Sequence, residues 1–304
     1  MLDIRQRFYI FYYMKHLLFL SLLILSFFHL SCGIVNTVAV NATTNIVDYG
    51  LGAIFEESDL DFAEKAIPGN LTLLEALYRA KDKDDDHLAF LLVEGYTGYT
   101  LGFVEDVDAD RAKVLYARAR DYGLKSLKKN KRFAAAFDQD QAAFKKSLEQ
   151  FGKNDVPMIF WTANAWGNLI NVSISDPAVL GDLPKVNAMM EFVLKNDETY
   201  FYGSAHLYFA AILATTPKNL GGKPDSARYH FEKCFEIGKN QFVLPHVYMA
   251  KSYCVQMQDK ELFQKLLTTV EEASLDSLPE QRLVNAIAKR KAKKLAEKID
   301  ELFF

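Results

Sequence analysis

Cysteine is scarce in this chain, with Cys32, Cys234 and Cys254 alone. A disulfide framework is therefore excluded, and a single Cys234–Cys254 bridge is the one pairing of the later cysteines that sequence leaves open. Glycine and proline are modest, at 15 and 8 of 304 residues, and runs of alternating Val, Ile and Thr are missing. That excludes a large sheet, and the prevalence of Ala, Leu, Lys and Glu predicts an all-α body. A basic excess is also lacking. The formal net charge is −3, and the lysine-rich stretch 289–294 is offset by the acidic run 82–86, so nucleic acid is not an expected partner.

The chemistry of common active sites is equally sparse. Of the six histidines, His87, His206, His230 and His246 lie beyond the N-terminal segment. None is spaced as a helical metal-ligand pair, and no Cys-x-x-Cys element occurs, so no metal is expected. Asn219-Leu220-Gly221-Gly222 lacks the spacing and lysine-serine ending of a phosphate loop and reads as a turn. Asp84, Asp85 and Asp86 lack the alternating ligands of a calcium loop and read as a solvated helix start. No Gly-x-Ser-x-Gly elbow is present. These absences predict no cofactor and no catalytic residues. A hydrolase would need an acid–base or nucleophile pair converging from distant segments.

What is present begins at the N-terminus. Met14-Lys15-His16 precedes an apolar stretch at 17–28, then His29-Leu30-Ser31-Cys32-Gly33. The stretch is shorter than the about 20 residues that span a bilayer, which favours a signal peptide at 1–31 over a transmembrane helix. Met14 is a second candidate start. Cys32, flanked by Ser31 and Gly33, resembles the lipobox cysteine of bacterial lipoproteins, although Leu30 stands one place from the usual position of that leucine. Cys32 is therefore the expected lipid-attachment residue, with 32–44 as a tether. Cleavage by an ordinary signal peptidase, giving a secreted product, is the alternative.

The rest, 45–304, reads as one helical-repeat domain of about four helix pairs. Ala112, Tyr116 and Ala119 recur in spacing as Ala227, Phe231 and Cys234, and as Val186, Met190 and Val193. Offsets of four and three share one helix face. Each set follows an apolar helix carrying a small residue: Gly95, Gly167 and Ala210. Met249, Ala250 and Tyr253, then Leu262, Leu266 and Thr269, make the fourth pair. The first three pairs carry insertions at 103–110, 175–184 and 215–224, places where repeat proteins often build binding faces. Capping helices flank the pairs. The N-terminal cap, 45–79, is expected as two helices broken at Pro68-Gly69. The last helix is expected to start at a capping box, Ser277 to Glu280, and to run to Phe304 with Leu283, Ile287, Leu295, Ile299 and Phe303 inward and its basic face in water.

One strip stands apart. Residues 157–168 contain both tryptophans beside Phe160, Asn164 and Asn168. Trp161 and Trp166 are five apart, about 140° around a helix, so one is expected in the core while the other lines a cavity. Asn164 and Asn168 form a polar stripe, a mixture found both in small-molecule sites and in ordinary helix cores bordered by amides.

The strip Phe160 to Gly167, the loop Pro217 to Gly222 followed by Ala227 and Phe231, and the lipobox-like start together resemble the TatT component of TRAP-type transporters. The resemblance implies a periplasmic lipoprotein with degenerate tetratricopeptide repeats, assembling as a homotrimer with a pore in each protomer. Its implied partner is an extracytoplasmic solute-binding protein, and its implied cargo a small organic acid or partly hydrophobic ligand. Phe160, Trp161, Asn164, Trp166 and Asn168 are the expected ligand or pore residues, and Asn219, Leu220, Gly221 and Gly222 the expected partner contacts. The competing reading is a tetratricopeptide adaptor of the envelope that holds a peptide in an open concave groove.

Overall fold

The computed structural model describes residues 5, 9, 11–19, 21, 43, 46, 47, 49–81, 83–216 and 221–303. Cys32, Asn219 and Leu220 lie outside them. Residues 1–49 group as one compact unit and 50–304 as another. In the first, 11–19 is helical, with Phe11, Leu17, Leu18 and Phe19 exposed. No helix among the described residues is long and apolar enough to cross a membrane. The second unit is all-α, with no strand among its described residues.

The second unit runs through α1 (Leu60–Ala80), α2 (Asp86–Tyr99), α3 (Ala109–Leu127), α4 (Lys131–Ala136), α5 (Gln141–Ser147), α6 (Val156–Val172) and α7 (Pro177–Leu180). It continues through α8 (Leu183–Asp197), α9 (Tyr200–Thr215), α10 (Pro224–Ile237), α11 (Leu244–Met249), α12 (Lys260–Glu272), α13 (Arg282–Ala296) and α14 (Ile299–Leu302). Helix ends are fixed locally. Asp59, Asp85, Asp108 and Asp259 accept backbone N–H bonds at the starts of α1, α2, α3 and α12, while proline opens α6, α8, α10 and α11, where its missing N–H costs nothing.

The four expected pairs do pack: α2 with α3, α6 with α8, α9 with α10, and α11 with α12. The repeated small positions are the reason. Ala112, Ala119, Val186, Val193, Ala227 and Cys234 are all fully buried, letting helix backbones approach. The same face of α3 continues to Gly123, where an added methyl group would overlap Thr162 on α6, so the first pair seats tightly on the second. The large side chains Tyr116 and Phe231 fill the space between.

Several expectations change. Proline 68 does not break α1, which runs unbroken from Leu60 with Ala63, Ile67, Leu71, Leu74 and Tyr78 buried; the lost hydrogen bond is outweighed by that continuous apolar face. The chain breaks earlier, between helical residues 50–55 and the Asp59 cap. The Ser277 capping box is absent. Ser277 Oγ donates to Ser274 O and Glu280 accepts from the Tyr202 hydroxyl, and α13 starts only at Arg282 and ends at Ala296. The short helices α4 and α5 were not foreseen; Phe133, Phe137 and Phe144 pack edge-on or tilted against one another there. Cys234 and Cys254 are both free and buried, and burial pushes each thiol up to about 12.

The largest departure is α13. Its basic face does not simply meet water: it closes the row of helices on itself. The helix packs on α11 and α12 behind it and on α1 in front. After α2 the chain makes a π-turn at Thr100–Val104, and Arg290 Nη2 donates to Gly102 O at 2.6 Å. Lys291 Nζ donates to Glu105 Oε1 at 3.0 Å and to Asp106 Oδ2 at 2.6 Å. Ile287 presses on Gly102, where a Cβ would come within 2.7 Å of its Cδ1. Burial opposes ionisation of Asp106, yet the bond and attraction to Lys291 hold its carboxyl below the ordinary value.

Lys291 is 11% exposed and Glu105 12%, so removing the cation strands a nearly buried carboxylate. Lys291→Met is expected to lower unfolding stability by about 2–4 kcal/mol in urea titrations; a change within experimental error would show that the seam is not held by this ion pair.

Candidate functional site

The interior of α2 carries an acid that its surroundings do not neutralise. Leu91, Leu92 and Val93 precede Glu94, and all three are buried. Glu94 itself keeps some accessible surface but sits among crowding apolar groups. No hydrogen bond or ion pair engages it among the described residues, and burial alone raises its carboxyl to about 7. One turn on, Gly98 faces open space.

The start of α9 lies within reach of its charge, which is felt at Tyr200. Phe201, Tyr202 and Gly203 all adopt left-handed backbone, with φ of 44°, 57° and 73°. Glycine accepts that conformation freely, whereas two successive aromatic residues do so at a cost of about 1–3 kcal/mol each. The packing over-determines it. Gly203 approaches Ile237 so closely that a Cβ would lie 2.9 Å from its Cδ1, and Cys234 Sγ donates to Gly203 O. The turn sets Phe201 against Trp161, 4.8 Å between ring centroids, and stacks Tyr202 on Phe242 at 4.8 Å.

Tyr200 joins the two sides. Its ring meets Phe160 edge-on at 5.3 Å. Burial pushes its hydroxyl strongly upward, the negative charge of Glu94 adds to the rise, the Trp161 indole N–H opposes it, and Asp197 contributes least. The Trp161 N–H nevertheless completes no hydrogen bond of acceptable geometry. Four aromatic rings and the unsatisfied Trp161 N–H thus pack together at the start of α9, and the Glu94 charge is felt at Tyr200.

The expected site residues separate. Phe160 and Trp161 lie in this aromatic cluster, both buried. Trp166 lies elsewhere, stacked on Phe137 at 5.9 Å with Arg120 and Lys185 near its face, in keeping with the angle that five helical residues impose. Asn168 Nδ2 donates to Asn164 Oδ1 at 2.9 Å, so the two amides partly satisfy each other. Gly221 has φ of 99°, within the segment read from sequence as a turn, and Gly222 follows it. Sequence reasoning passed over Glu94 and 200–203. A lone acid in the run Leu91-Leu92-Val93-Glu94-Gly95 was the available signal, and so were three successive aromatic residues ending in glycine.

Other polar groups also converge. His206 and His230, from α9 and α10, face each other with Nδ1 atoms 2.8 Å apart, and His206 Nε2 lies 3.5 Å from Glu198. Burial lowers both imidazoles. No metal-binding group of three ligands occurs among the described residues.

Paired helices stacked in chain order, with the last packed back on the first, define an all-α helical scaffold. A family model described as TAtT, TRAP transporter T-component, matches residues 56–303, and the chain belongs to that family. It is also 22% identical over 266 residues to an uncharacterized protein of Treponema pallidum (strain Nichols), a match spanning 82% of this chain and 81% of the relative. Membership makes it an accessory, envelope-associated component of TRAP transport, in a family of transport components rather than enzymes.

The raised carboxyl has a measurable consequence. An unfolded glutamate ionises near 4.5, and Glu94 when folded near 7. Between those values the folded chain holds the extra proton, so stability falls as pH rises through the window and the full cost is present above 7. Glu94→Gln is expected to raise stability by about 1–3 kcal/mol at pH 8 and to leave it unchanged at pH 4, read from thermal unfolding at both values. Equal gains at the two would mean that Glu94 is not the group responsible.

Proposed function

We propose that this T-component docks the extracytoplasmic solute-binding protein of a TRAP system and passes a small, partly hydrophobic or organic-acid ligand through its interior. The observation that carries this reading, beyond family membership, is the closure of α13 onto α1 and the α2 π-turn. On this reading the closed row of helices surrounds a passage, whereas an adaptor that grips a peptide needs its concave groove open. The aromatic cluster at Trp161 would supply an apolar wall to that passage, and Gly221 and Gly222 belong to an insertion suited to partner contact. Trp166, Asn164 and Asn168 remain candidate lining residues on the other face of α6. A homotrimer is the assembly this reading carries.

Co-purification tests it. The mature protein, mixed with its system's solute-binding protein, is expected to co-elute as a stoichiometric complex under mild conditions. Absence of any such association would return the protein to the adaptor reading.

Attachment through Cys32 belongs to the same proposal. Several acyl chains on one cysteine hold a protein firmly, while a single chain binds weakly. Cys32→Ser is expected to move the protein from the membrane fraction to the soluble periplasmic extract and to abolish labelling by radioactive palmitate. Retention of label in the variant would exclude Cys32 as the acylated residue.

A further inference from the structure

We propose that the cavity at the seam between α1 and α13 binds a small zwitterion, an ammonium and a carboxylate joined by a short carbon chain. Glu64 of α1, Phe103 of the π-turn, Val107 beyond it, and Arg290 and Lys294 of α13 all line this cavity, whose volume is about 130 Å³. An apolar cavity of about 150 Å³ admits benzene, so the space here suits a ligand of roughly six non-hydrogen atoms. A peptide segment does not fit.

Charge selects the ligand class. Lys291 is neutralised by Glu105 and Asp106, but its neighbours on the cavity wall are not. Arg290 spends one N–H on Gly102 O and lies over the Phe103 ring, 4.9 Å from its centroid. Lys294 adds a longer-range attraction to Asp106, behind those of Lys291 and Lys251. Neither cation has a carboxylate in ion-pair contact among the described residues, and Glu64, in the same cavity, has no cation. Arg290 and Lys294 stand four residues apart on one helix face, where like charges repel. A ligand carboxylate relieves that repulsion and takes up the spare guanidinium N–H groups in charge-assisted bonds. A plain carboxylate would leave Glu64 unpaired and be repelled by it; a plain amine would pair with Glu64 and face two cations. A molecule that carries both charges satisfies both sets, and its carbon chain rests on Phe103 and Val107.

Such an occupant ties α1 to α13 and braces the closure of the row. The site stands apart from the docking role, so failure of co-purification leaves it untouched, and the reverse holds too. Glycine, β-alanine and γ-aminobutyrate are titrated into the purified protein at pH 7 by calorimetry, with butyrate and butylamine as single-charge controls. The tightest-binding of the three zwitterions is expected to exceed both controls by at least about tenfold in affinity and to raise the unfolding temperature, because it binds the folded chain alone. Glu64→Gln should remove its advantage over butyrate, and Lys294→Met should weaken it by about the same factor, with circular dichroism unchanged in both. Lys294→Arg, which keeps the charge, should retain binding. No detectable binding of any zwitterion, butyrate or butylamine binding as tightly as the best of them, or an undiminished preference in Glu64→Gln would overturn the assignment.

Discussion

The Lys291 ammonium, shared between Glu105 and Asp106, joins residues almost two hundred positions apart in the chain. Helix pairs stacked in a row need no such contact, since each buries its apolar face on its neighbours. Once the last helix turns back to meet the first, the row has an inside. That closure rests on contacts between residues that neighbouring helix pairs could not supply. The π-turn at Thr100–Val104 prepares the seam by widening the end of α2, which places Gly102 O toward Arg290 and the two acids toward Lys291. Tyr116, donating to Glu105 Oε2 at 2.6 Å, ties this seam to the face of the first helix pair.

The interior acid and the strained aromatic turn share a logic. Each is unfavourable by itself: one leaves a carboxylate without a partner, the other forces Phe201 and Tyr202 into a backbone region that suits glycine. Each is held by contacts that are independently favourable, the buried run Leu91 to Val93 on one side and the stacking of Tyr202 on Phe242 on the other. Local cost of this kind persists only where the surrounding packing supports it.

Legibility varied with the range of the interaction. The four helix pairs were visible because Ala112, Tyr116 and Ala119, and their counterparts, repeat at offsets that put small residues on one face, a property of a single helix. The opposed directions of Trp161 and Trp166 followed from helical geometry in the same way. The break expected at Pro68 failed because propensity was weighed without the apolar stripe running through it. The Ser277 box failed because Tyr202, from another helix, claims Glu280.

By itself the sequence determined the class of secondary structure, the pairing of neighbouring helices, the scarcity of catalytic groups and the family resemblance, since each depends on spacing within a short window or on residue types present or missing. Tertiary structure decided the closure of α13, the crowding of Glu94 and the meeting of Trp161 with Phe201. Those depend on which distant surfaces exclude water from one another, and a carboxylate reads the same in a sequence whether water surrounds it or apolar groups crowd it.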